Sequence, residues 1–99
     1  MFRGRRKFQG PKIPEDEGSI ALTALVEGEK GVIVKALGGF GLIRRLAEMG
    51  LTPGVEVKLL RKCSFGGPVE IEVRGVALAL GRGVASKVLV KPVRVESHD

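Results

Sequence analysis

Leu42-Ile43-Arg44-Arg45-Leu46-Ala47-Glu48-Met49-Gly50-Leu51-Thr52-Pro53-Gly54 reads as a helix that stops at a glycine and turns straight into a strand. Leu42 and Leu46 are four apart and Met49 follows at three. Ile43 and Ala47 widen the same apolar stripe, while Arg44, Arg45 and Glu48 point elsewhere. Gly50 stands where a helix C-terminus favours positive φ, and Leu51 is placed to fold back on the last turn as in a Schellman ending. Thr52-Pro53-Gly54 then predicts a tight turn, Pro53 fixing its own φ and Gly54 taking a conformation other residues resist. A helix this short is marginal alone in water, so the rest of the chain has to supply a docking surface, and Leu46 and Met49 are expected to face it.

Working outward, the segments after Gly54 are strands. Val55, Val57 and Leu59 alternate with Glu56 and Lys58, and Val69, Ile71 and Val73 alternate with Glu70, Glu72 and Arg74. This period of two is that of half-buried strands. The break at Gly75 predicts an antiparallel hairpin with Val76-Ala77-Leu78-Ala79-Leu80. Gly81 to Ser86 has room for one helical turn, and Val88-Leu89-Val90 forms a last strand before Pro92. Before the helix, Lys30 to Leu37 is β-branched, with Ile33 flanked by Val32 and Val34. The apolar spacing of Ile20, Leu22, Leu25 and Val26 is mixed and fits either a strand or a single helical turn. The expectation is a mainly β fold: about five antiparallel strands closing into a small SH3-like barrel, with one short α-helix over one opening.

The whole chain is 99 residues, with 15 glycines and only four aromatics, which fits one domain of short strands and tight turns. One cysteine, Cys63, excludes an internal disulfide, and no run approaches the ~18 apolar residues of a membrane span. A cytoplasmic protein is expected. Net charge is +6. Residues 1–12 carry five basic residues and no acid, and Glu15, Asp16 and Glu17 follow. Residues 1–17 therefore read as a flexible basic arm and 18–96 as the barrel domain. The arm has three readings: a solvated tail, a contact through residues 1–12 with an anionic membrane surface, where each Lys or Arg contributes roughly 1 kcal/mol and Phe2 and Phe8 could insert, or a nucleic-acid contact. The last is disfavoured, because the barrel offers only Phe40 and Phe65 for base stacking.

Arg45-Leu46-Ala47-Glu48-Met49-Gly50-Leu51-Thr52-Pro53-Gly54 resembles the signature of the FeoA family. The resemblance continues through Val55-Glu56-Val57, Phe65-Gly66-Gly67-Pro68-Val69-Glu70-Ile71, Val76 to Leu80, Ala85 and Val88-Leu89-Val90. It covers roughly residues 20 to 91. Gly81-Arg82-Gly83 departs from the more polar connection common there, and the arm lies outside the family pattern. The resemblance implies an SH3-like barrel acting as an accessory to a FeoB-type ferrous-iron transporter. Related domains sit at the C-terminal end of metal-dependent repressors, so a repressor-associated or nucleic-acid-binding domain is the alternative.

Catalysis is not expected, because the acids alternate along strands or flank turns instead of converging. Gly38-Gly39-Phe40-Gly41 lacks the Lys-Ser/Thr of a phosphate loop. Cys63 and His98 stand 35 residues apart, where a stable transition-metal site needs three or four ligands. Weak or intermolecular coordination of Fe2+ or Zn2+ by Glu48, Cys63, His98 or other acids is the remaining metal reading. The partner surface is expected on the helix face of Arg44, Arg45 and Glu48 and on the loop Phe65-Gly66-Gly67, with Leu46, Met49, Gly50, Leu51, Pro53 and Gly54 as structural residues. A homo-oligomer is left open.

Overall fold

Alternation decides the strands. In the computed structural model, which describes residues 18–93, β3 (Glu56–Lys62) and β4 (Val69–Val73) follow the period-two pattern, burying Val57, Leu59, Val69, Ile71 and Val73. Six strands form, one more than expected: β1 (Ile20–Ala21), β2 (Lys30–Ala36), β3, β4, β5 (Val76–Leu80) and β6 (Val88–Pro92). The mixed spacing at residues 20–26 resolves into both of its readings, the two-residue β1 followed by a 3-10 turn at Leu22–Ala24. Residues 1–17, 94–96 and His98 lie outside the described residues.

All pairings are antiparallel in one sheet of order β1-β6-β2-β3-β4-β5. The register shifts between Ile33 and Lys35 and between Leu59 and Arg61, irregularities of the kind that bend a sheet. Val34 falls at the first shift and is only half-buried, so Ile33 alone of that trio is fully inside. Lys62 Nζ at the end of β3 donates to the Thr23 carbonyl just past β1 at 3.0 Å. In a flat sheet those strands would lie about 14 Å apart, so the sheet curls to bring them together. Its concave side holds one apolar cluster, including Leu22, Leu25, Leu46, Leu59, Ile71 and Val90.

Helix α1 runs Phe40–Glu48, two residues earlier than Leu42. The Schellman ending forms as expected. Gly50 has φ 84° and its N–H donates to Ala47 O at 2.9 Å, and the Leu51 N–H donates to Leu46 O at 2.8 Å. Leu46 and Leu51 are both buried, as that motif's apolar contact requires. Thr52 O accepts from Val55 N–H at 3.1 Å across Pro53-Gly54, and Gly54 has φ 92°, a type II turn that starts β3. A second helical turn, α2 (Arg82–Ala85), packs Ala85 into the core.

Candidate functional site

Helix α1 is held by little. Gly39 caps its N-terminus without a side-chain hydrogen bond, and Gly39 and Gly41 at its start are poor helix formers. Leu46 is its one fully buried side chain, with Leu42 half-buried. The broad apolar stripe does not all face the core. Phe40 is 81% exposed, Ile43 45% and Met49 37%, and Ala47 is also exposed. The expectation that Met49 is a core residue is therefore wrong. Met49 is the helix C-cap, and the chain has already begun to turn away there, its N–H donating to Leu46 O.

Between α1 and the strands under it lies an apolar groove of about 160 Å3, walled by Ile43, Ala47 and Leu46 on one side and Ile33, Val88 and Leu51-Thr52-Pro53 on the others, with Lys35 and Ala36 completing it. That volume is comparable with the ~150 Å3 apolar cavity that admits a benzene-sized group. It is below the ~300 Å3 at which small-molecule sites begin. The groove therefore has the dimensions for an apolar side chain of a partner. Arg44, Arg45 and Glu48 are exposed on α1. Arg45, in the last turn, also favours the helix dipole.

The Phe65 loop has a different character. Ser64 O accepts from Gly67 N–H at 3.1 Å, and both central residues have positive φ, Phe65 at 58° and Gly66 at 74°. This is a type I′ turn with phenylalanine where Gly, Asn or Asp is usual. A Cβ on Gly67 would meet Cys63 Cβ at 3.0 Å and Ser64 O at 3.2 Å, so the two glycines shape the loop and Phe65 alone projects, fully exposed. Arg82 Nη2 donates to Cys63 O at 2.9 Å and Pro68 O accepts from Cys63 N–H at 3.0 Å, anchoring the loop base. Beside it, Arg61 Nε donates to Glu70 Oε1 at 3.1 Å, and that carboxylate raises the Arg61 pKa, first by the hydrogen bond and then by its charge.

The two parts of the expected partner surface do not come together. The groove beside α1 takes in the turn that leads into β3, whereas Phe65 follows the end of β3. Seven residues of strand separate those ends, about 23 Å. Among the described residues no three His, Cys, Asp or Glu side chains gather as a metal site, and Glu48 and Cys63 belong to elements at opposite ends of β3. No helix among them is long and apolar enough to cross a membrane.

The curled antiparallel sheet with its two short helices defines a small SH3-like β domain. The FeoA domain family's profile matches residues 20–92, and the chain belongs to that family. A putative Fe(2+) transport protein A from Methanocaldococcus jannaschii is 38% identical over 65 residues, covering 66% of this chain and 77% of the relative. The crystal structure of an iron uptake regulatory protein (FeoA) is similar with a TM-score of 0.69 and 37% identity, over 76% of this chain and 97% of the other. A manganese-dependent transcriptional repressor shares the fold at 19% identity and a TM-score of 0.72, over 84% of this chain and 44% of the repressor.

Proposed function

We propose that this protein is a non-catalytic cytoplasmic accessory to ferrous-iron transport, which acts by docking on the cytoplasmic part of a FeoB-type transporter. The family membership and the relative named as an Fe(2+) transport protein support the transport role. Ferrous iron enters this reading as the transporter's cargo. The observation that carries the docking surface is the helix that leaves Ile43 and Ala47 exposed on the wall of an apolar groove, with the exposed Phe40 on the same side of the helix. A fold gains nothing from exposing that stripe, whereas a partner that covers it gains roughly 25 cal/mol for each Å2 of apolar surface removed from water. The partner segment is a short apolar one with an acidic flank, matched to Arg44 and Arg45.

Phe65 supports a second contact. Holding a non-glycine residue in a left-handed turn costs on the order of 1–3 kcal/mol, and an exposed aromatic ring in that position makes no compensating contact with the core. The test is pull-down and titration of the transporter's cytoplasmic part against the full chain, Ile43→Asp and Phe65→Ala. Loss of binding in Ile43→Asp, with a smaller loss in Phe65→Ala, is expected. Unchanged binding in both would remove this docking surface.

A further inference from the structure

Strand β5 is an edge strand: among the described residues, β4 is its only neighbour. The two-residue turn Arg74-Gly75, with φ of 52° and 81°, pairs Val73 with Val76, and the register continues Ile71 with Leu78 and Val69 with Leu80. Hydrogen bonding alternates along such a hairpin. The amides and carbonyls of Val76, Leu78 and Leu80 therefore point at β4, and those of Ala77 and Ala79 point away from it.

Edges of this kind are normally blunted by charge, proline or shortness. The other edge, β1, is two residues long. β5 has five residues, Val-Ala-Leu-Ala-Leu, with no charge and no proline. Its core-side face is also unfinished: Val76 sits across from the buried Val73 yet is 58% exposed, and Leu78 is only half-buried.

From this we infer that β5 pairs antiparallel with β5 of a second copy, about a two-fold axis at Leu78. The strand is its own complement in that register. Ala77 of one copy faces Ala79 of the other, and these are the residues whose backbone groups are open, so the two strands exchange four hydrogen bonds. Leu78 faces Leu78 at the close, non-hydrogen-bonded position, and Val76 faces Leu80. Large therefore meets large and small meets small, as an isologous interface demands. The register also sets Arg74 opposite Arg82 of the other copy, but the Arg82 guanidinium is held inward on Cys63 O. A five-residue edge is smaller than the ~1,200 Å2 of a stable interface, so the dimer is weak and depends on concentration.

Sedimentation of the full chain from about 10 µM to about 1 mM, with amide hydrogen exchange at both ends of that range, tests the inference. The expected result is a monomer that becomes a dimer, with slower exchange at Ala77 and Ala79 in the concentrated sample. Ala77→Lys/Ala79→Lys keeps the fold, because the introduced lysines lie across from Glu72 and Glu70 within the chain. It abolishes the dimer through like charges across the axis. A chain that stays monomeric throughout, amides protected equally at every concentration, or a dimer indifferent to the lysines would each overturn the pairing.

Discussion

Strand β4 and helix α1 both carry apolar residues at the period of their element, and they use them in opposite ways. In β4 every residue of the apolar set, Val69, Ile71 and Val73, is buried. In α1 the set is broader, yet only Leu46 is fully buried, and Phe40, Ile43 and Ala47 remain outside. A strand in the middle of a curled sheet has neighbours on both sides and a core beneath. A nine-residue helix beside β2 and β6 reaches the core fully with Leu46 alone. Its remaining apolar surface is left uncovered by the fold, and the proposed docking surface lies there.

Substitutions should separate the two regions sharply. Ile71→Ala removes a fully buried side chain from β4 and should destabilise by about 2–5 kcal/mol. That is a large fraction of a small domain's stability, measurable as a lowered denaturation midpoint. Gly50→Val forces a β-branched residue into the left-handed conformation that ends α1, with no steric clash to confuse the result. A loss of roughly 1–2 kcal/mol is expected from thermal melts. Ile43→Asp changes the exposed side of the same helix and should cost less than about 1 kcal/mol. If it cost as much as Ile71→Ala, the contrast between the two regions would collapse. Phe65→Asn should raise stability by about 0.5 kcal/mol, because asparagine tolerates the left-handed turn that phenylalanine resists.

Much of the architecture was legible in the residues. Alternation located β3, β4 and β5, and Gly50 with Pro53-Gly54 gave the helix ending and the turn, because backbone chemistry at those positions is local. The start of α1 was not legible, since Gly39 and Gly41 have low helix propensity and are helical or capping only in context. Nor was the fate of the apolar stripe. Spacing shows that Ile43, Ala47 and Leu46 share a face, but not how much of that face the core can cover. Residues 64–68 predicted a loop, yet nothing in them indicated that Phe65 itself takes positive φ, or that β3 would hold this loop away from the helix. The sixth strand was left open between strand and helical turn because the two residues of β1 carry no periodicity.

The central claim, that the outer side of α1 is the docking surface, is tested most directly by the affinity of the full chain and of Ile43→Asp for the cytoplasmic part of a FeoB-type transporter, with melting temperatures measured on the same samples. The account predicts binding at least about tenfold weaker, 1.4 kcal/mol or more, with the fold intact. Equal affinities from two equally folded proteins would contradict it.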